Sequence, residues 1–174
     1  MAKTGGKGIN SKNKGAEYER KIAKALGSWW GEQFQRTPAS GGLQWKKDNR
    51  VTGDIVTPPD SIFPFTIECK KREGWSLEQF LKNTGEMEEW WTQCIRDAAK
   101  IDKKPMVIFS KNFDTDYVMM TRADFDAITD GILELNAFNN FVVHKEGLEA
   151  RVICELDKLI ANVSKEDVIK AYSL

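Results

Sequence analysis

The segment "FPFTIECKK", residues 63–71, alternates apolar and polar side chains in the manner of a β-strand. Its apolar positions 65, 67 and 69 share one face, because successive strand residues point to opposite sides of a sheet. Glu68 and Lys70 lie side by side on the other face, with about 7 Å between their Cα atoms. Two explanations remain open: a weak ion pair on a solvated face, or a metal-binding carboxylate beside a catalytic cation.

Composition limits the classes of protein to consider. The chain has 174 residues, of which 41% are hydrophobic, enough for one globular domain with a real core. It contains no apolar run long enough to span a membrane, and its first residues do not resemble a signal peptide. The three cysteines are scattered and there is one histidine, which argues against a disulfide framework, a zinc site and a Ser-His-Asp mechanism. We therefore expect a protein of the reducing cytoplasm with no membrane partner.

The charge is distributed unevenly, although the net charge is zero. Residues 1–50 hold 11 Lys or Arg against four Asp or Glu, whereas residues 105–174 hold seven against 12. A basic first part and an acidic last part favour one surface that binds a polyanion and another that faces away from it. A basic, merely soluble N-terminal tail is the alternative for the first residues.

The order of predicted elements indicates an α/β or α+β domain with a central mixed sheet. We predict a flexible basic tail over residues 1–14 and one domain over residues 15–174. Its elements are a helix from Gly15, strands at 34–37, 53–56 and 63–71, helices after Ser76 and over 86–101, strands at 105–110 and 116–120, a helix over 122–128, strands at 141–144 and 151–155, and a last helix after Ser164. Tryptophans 90 and 91 and the cysteines are expected in the core.

Further carboxylates are predicted to approach the Glu68 strand. Asp54 begins a short strand, and the turn at Pro58-Pro59 allows an antiparallel return beside Glu68. Glu19 flanks the apolar stripe of the first helix, so its carboxylate turns toward the sheet. Carboxylates this close repel one another unless a cation neutralises them, and hard oxygen ligands suit Mg²⁺, with Mn²⁺ as a substitute. Such a site hydrolyses phosphodiesters.

The ordered motifs "NKGAEYERKIAKAL" (13–26), "QRTPASGG" (35–42), "GDIV" (53–56) and "TIECKK" (66–71) resemble the PD-(D/E)xK nuclease superfamily. Within it they are similar to archaeal-type and phage Holliday junction resolvases. The resemblance is strong over residues 12–72 and loose as far as residue 110. It implies a restriction-endonuclease-like mixed sheet flanked by helices, with additional C-terminal elements after about residue 111.

The resemblance also implies a set of site residues. It assigns catalytic roles to Glu19, Ser40, Asp54, Glu68 and Lys70. It assigns metal ligation to Glu19, Asp54, Glu68 and the backbone carbonyl of Cys69. It places Lys14, Arg20, Arg36 and Ser40 at DNA, and Gln93 near the site.

Other basic residues have two explanations each. Lys46, Lys47 and Arg50 track DNA phosphates, or they belong to a solvated loop. Ser40 without the resemblance is part of a flexible turn. Lys71, on the face opposite Lys70, contacts a phosphate or is a bystander.

Taken together, the sequence predicts a Mg²⁺-dependent, structure-selective DNA endonuclease, most consistent with a homodimeric Holliday junction resolvase of recombination and repair in a bacterial or archaeal cell, possibly phage-encoded. Another nuclease of the superfamily (restriction-like, nicking or exonuclease) is the first alternative. A DNA-binding module that lost catalysis is the second, and the presence of all four residues Glu19, Asp54, Glu68 and Lys70 argues against it.

Overall fold

The structure, a computed structural model, describes residues 7–38, 52–130, 132, 138–144 and 146–174. The helices are α1 (Lys7–Trp30), α2 (Leu77–Lys82), α3 (Gly85–Ala99), α4 (Arg122–Ile128), α5 (Leu156–Asn162) and α6 (Lys165–Tyr172). The strands are β1 (Gln35–Arg36), β2 (Ile55–Val56), β3 (Phe65–Lys71), β4 (Lys104–Ser110), β5 (Tyr117–Thr121), β6 (Phe141–Val143) and β7 (Arg151–Glu155). No described helix is long and apolar enough to cross a membrane.

The central sheet has five strands in the order β3-β4-β5-β7-β6. β3 and β4 are parallel, because α2 and α3 carry the chain back between them, and the remaining pairs are antiparallel. The expected mixed sheet flanked by helices is confirmed. The chain after residue 111 supplies three of these five strands, so it completes the sheet.

Helices cover both faces of the sheet. The face that carries Phe65, Ile67 and Cys69 packs against α1, α4, α5 and α6. The opposite face packs against α2 and α3, with Trp90 and Trp91 buried among the side chains of β4 and β5. β4 and β5 therefore contribute to both cores, whereas the apolar residues of β3 belong to the first. All three cysteines are buried and free, as expected.

Local signals explain most helix boundaries. Ser76 caps α2 by accepting a hydrogen bond from the Gln79 amide, and Asn83 ends that helix in the left-handed conformation. Thr121 and Ser164 cap α4 and α6 in the same way as Ser76. The predicted break between α2 and α3 is thus confirmed.

Three expectations about elements were wrong. α1 begins at Lys7, eight residues before the predicted start at Gly15, although its first turn contains no acid to favour the helix dipole. α5 was not predicted, because "LDKLIAN" is too short for its periodicity to stand out. β2 pairs with β1 in a separate two-stranded ribbon, and it is not an antiparallel neighbour of β3.

Candidate active site

Asp54 lies at the free edge of β3, just before β2. Its amide donates a hydrogen bond to the Ile67 carbonyl at 2.7 Å. Its Oδ2 atom accepts one from the Cys69 amide at 2.8 Å. These two bonds bring Asp54 beside β3, although β2 and β3 are not paired as strands. The predicted antiparallel pairing was therefore wrong, but the predicted position of Asp54 beside the Glu68 strand is confirmed.

Gly53 makes this approach possible. Its φ angle is +79°, in the left-handed region that favours glycine. A Cβ atom at this position would lie 2.5 Å from the Ile67 carbonyl oxygen. The sequence shows a glycine directly before an acidic residue and an apolar pair. Only the close approach to β3 in the structure explains why this position requires glycine.

Glu68 is almost fully buried on the α3 face of the sheet, at 3% exposure. Its Oε1 atom accepts hydrogen bonds from Lys70 Nζ at 2.5 Å and from Gln93 Nε2 at 2.8 Å. Lys70 Nζ is also 3.5 Å from Gln93 Oε1. Gln93 on α3 therefore orients both residues, and its expected position near the site is confirmed.

Glu19 reaches the same region from α1 and forms an ion pair with Arg36 on β1. The β1–β2 ribbon is tied to the Asp54 turn, since the Thr37 amide donates to the Asp54 carbonyl at 2.8 Å and the Thr37 hydroxyl to the Gly53 carbonyl at 2.9 Å. Arg36 was expected at DNA. That contact stays a prediction; in the structure the Arg36 guanidinium pairs with Glu19 and so connects α1 to the Asp54 side of the site.

The electrostatics of the site reflect this crowding of carboxylates. The pKa of Asp54 is raised to about 7, chiefly by burial and then by the charges of Glu68 and Glu19, against the opposing effects of the Cys69 amide and Lys70. Burial also holds the pKa of the Cys69 thiol well above its usual range, with contributions from the same three carboxylates. Asp54 thus lacks the compensating cation that Glu68 finds in Lys70.

The oxygen atoms left free at this edge are suited to a hard cation. None of the described residues donates a hydrogen bond to Asp54 Oδ1 or Glu68 Oε2. The Cys69 carbonyl faces the same edge as its amide, because both groups of one residue point the same way in an extended strand. No group of three or more His, Cys, Asp or Glu side chains among the described residues is arranged to hold a metal ion. Two carboxylates and one carbonyl at this edge are hard oxygen donors of the kind that Mg²⁺ prefers, whereas Glu19 is held by Arg36.

The remaining predicted residues fall into three groups. Lys14 and Arg20 are exposed on α1. Lys71 lies on the α1 face, as expected, where its Nζ atom donates to the Ser110 hydroxyl at 3.2 Å and to the Lys111 carbonyl. Ser40, Lys46, Lys47 and Arg50 lie outside the described residues.

Comparison with known proteins identifies a family for this chain. The family model described as "Phage putative PDDEXK endonuclease" matches residues 10–170. Protein D14 of Escherichia phage T5 is 28% identical over 166 residues, which cover 93% of this chain and 99% of that protein. No solved structure matches the chain significantly. The chain therefore belongs to this phage family of PD-(D/E)xK endonucleases.

Proposed function

We propose that this nuclease is a metal-dependent, structure-selective DNA endonuclease that resolves four-way junctions. The observation that carries the metal-dependent chemistry is the meeting of Asp54, Glu68 and Lys70 at one edge of β3. The ordered motifs over residues 12–72, which resemble those of junction resolvases, support the choice of substrate.

Asp54, Glu68 and the Cys69 carbonyl would hold Mg²⁺. When bound, Mg²⁺ supplies a Lewis acid that polarises the phosphoryl oxygen and lowers the pKa of a water molecule. Lys70, anchored by Glu68 and Gln93, presents a positive charge at the same edge. That charge stabilises the additional negative charge that develops on the phosphoryl oxygens in the transition state.

The site has to bind DNA, a polyanion, although Glu19, Asp54 and Glu68 in it are acidic. The exposed Lys14 and Arg20 on α1 provide positive charge beside it. Contacts of this kind read the backbone and shape of DNA, and they do not read base sequence. We propose that the protein acts as a homodimer in the cytoplasm of the host cell, with two active sites related by a two-fold axis that nick opposite strands of one junction.

The test compares three labelled substrates: a four-way junction, a linear duplex of the same sequence and a single strand. Each is incubated with the full chain in Mg²⁺, in Mn²⁺ or in EDTA. We expect paired nicks near the junction centre in either metal, none in EDTA, and a loss on the order of 10³-fold with Glu68→Ala or Lys70→Ala. Glu78→Ala and Lys82→Ala, which change an exposed ion pair on α2, are the matched controls and should cleave normally.

Each rival function has its own outcome in this assay. Equal cleavage of linear duplex would contradict junction selectivity and leave a general nicking nuclease. Cleavage that progresses from DNA ends would point to an exonuclease. Binding without cleavage in either metal would leave only a DNA-binding module. Sedimentation of the protein alone and with the junction tests the dimer.

A further inference from the structure

The loop between β4 and β5, residues 111–116, contains a phenylalanine that packs against neither hydrophobic core. Phe113 is fully exposed, at 108% of the reference area, whereas most large apolar side chains of the described residues are buried. Its φ angle is +57°, a left-handed backbone conformation that is a true outlier for a bulky residue. The other described non-glycine residues with positive φ are Asn83, Asp102, Asn139 and Ser173. Exposure and strain at one residue are a reason to look for a ligand there.

The base of this loop is held firmly. The Asn112 amide donates to Glu73 Oε1 at 2.7 Å, and the Ser110 hydroxyl bonds to the Lys111 carbonyl at 2.9 Å and to the Asp114 carbonyl at 3.2 Å. Beneath it, Trp75 packs edge-on against Phe109 and Tyr117, with ring centroids 4.9 and 5.7 Å apart. The exposed ring is therefore presented by an ordered support.

Cations and anions are both present near the loop. Lys71 and Lys111 lie at its base, and neither makes an ion pair with any described acid. Lys111 Nζ lies 4.9 Å from the centre of the Trp75 ring. Three acids are nearby: Glu73 accepts the Asn112 amide, Asp114 accepts the Thr115 amide, and Asp116 pairs with Lys21 of α1.

The loop lies at the same end of the sheet as the candidate active site. Lys70 is the register partner of Phe109, and Lys71 of Ser110, so β3 ends beside the start of the loop. Four Cα–Cα steps lead from Phe109 to Phe113, which puts the Phe113 Cα within about 20 Å of the Lys70 Cα. At 3.4 Å per step, this distance spans about six base pairs of DNA.

From these observations we infer that Phe113 is a wedge that stacks on unpaired or unstacked DNA bases within about six nucleotides of the cleaved phosphate. Apolar side chains that enter between bases kink and unstack a duplex, and the cost is least where stacking is already interrupted, as at a branch point. Lys71 and Lys111 would contact the flanking phosphates. This inference rests on the proposed function for its substrate, and it explains how the site would select branched over linear DNA.

The test uses the full chain carrying Glu68→Gln, which binds DNA without cutting it. Four-way junctions carry 2-aminopurine either at the branch point or in the middle of one arm. Binding is followed by fluorescence anisotropy, and unstacking by the rise in 2-aminopurine emission. Phe113→Ala is compared with Phe113→Trp, which keeps a stacking ring, and with Phe141→Ala. Phe141 is 51% exposed on β6, the opposite edge of the sheet, and is the matched control.

We expect the parent protein to raise the emission at the branch point and to leave the arm unchanged. Phe113→Ala should abolish the rise and weaken junction binding about 10-fold, because one base–aromatic contact is lost. Phe113→Trp should keep the rise, and Phe141→Ala should behave as the parent.

Three results would overturn the wedge: no rise in emission with the parent, an unchanged rise with Phe113→Ala, or conversion of a dimer to monomers by Phe113→Ala. The last would make Phe113 an interface between copies. Cleavage is measured separately with Glu68 intact. If the protein cleaves junctions but Phe113→Ala does not change the emission, only the wedge is rejected. If the wedge works but the protein cuts linear DNA equally well, only junction selectivity is rejected.

Discussion

The two carboxylates at the edge of β3 are held in opposite ways. Glu68 lies under α3, where Lys70 and Gln93 satisfy one of its oxygens. Asp54 lies at the open edge and receives one backbone amide, and its pKa is raised to about 7 mainly by burial and by Glu68. The Glu68 side therefore carries its own cation, whereas no cation among the described residues forms an ion pair with Asp54.

The largest effect should come from the turn that delivers Asp54. Gly53→Ala should lower the free energy of unfolding by about 3 kcal/mol, because a methyl group would meet the Ile67 carbonyl at 2.5 Å in a strained backbone. Gly147 is the control: it has φ +78° and open space around it, so Gly147→Ala should cost about 1 kcal/mol. Equal losses in urea denaturation would show that the approach to β3 is not tight.

The next largest effect should be a difference in stability between variants of the two ion pairs of the site. The side chains of Lys70 and Glu68 are 19% and 4% exposed, and those of Arg36 and Glu19 are 24% and 19% exposed. Lys70→Met should lower the free energy of unfolding by about 2 kcal/mol, since it leaves a buried carboxylate without its cation. Arg36→Met should cost at most about 1 kcal/mol.

A double variant checks that interpretation. Adding Glu68→Gln to Lys70→Met removes the buried charge and should recover part of the lost stability. If the double variant is less stable than Lys70→Met alone, the loss arises from packing of the lysine stem.

The pH dependence of stability tests the Asp54 side. A raised pKa in the folded state means that the contribution of Asp54 is complete below about pH 4 and is lost as the pH rises to about 7. In EDTA, Asp54→Asn should therefore match the wild type near pH 4 and be more stable at pH 8, by on the order of 2 kcal/mol.

The control for this prediction is Asp60→Asn at an exposed turn, which should follow the wild type at both pH values. Adding Mg²⁺ at pH 8 should stabilise the wild type and leave Asp54→Asn unchanged. If the free energy of unfolding of the wild type does not change between pH 4 and pH 8, Asp54 is not a carboxylate that lacks a compensating charge.

The smallest effect should come from Gln93, which orients Glu68 and Lys70 from α3. Gln93→Ala should slow cleavage about 10-fold with little change in DNA affinity, because the hydrogen bond positions the catalytic pair and does not touch the substrate backbone. Gln35→Ala, on the exposed face of β1, is the control. A loss of affinity equal to the loss of rate would instead place Gln93 at the DNA.

Much of the fold was accessible from the sequence because its signals are local. The alternation over residues 63–71, the Ser76 cap and the break near Asn83 each depend on neighbours within four positions. The short helix α5 and the start of α1 were missed, since α5 has no side-chain cap and the first turn of α1 contains no acid. The pairing of β2 with β1 was missed because two-residue strands carry almost no periodicity.

The amino-acid sequence by itself determined the chemistry of the site: two acids and a lysine in the order of a known nuclease motif, with the strand period that puts Glu68 and Lys70 on one face. Only the tertiary structure decided which charged and polar groups pair with one another. It placed Gln93 on Glu68, Arg36 on Glu19 and an exposed phenylalanine in the β4–β5 loop. The physical reason is that side-chain type and alternation are properties of the local chain, whereas burial and electrostatic pairing depend on residues that are distant in sequence.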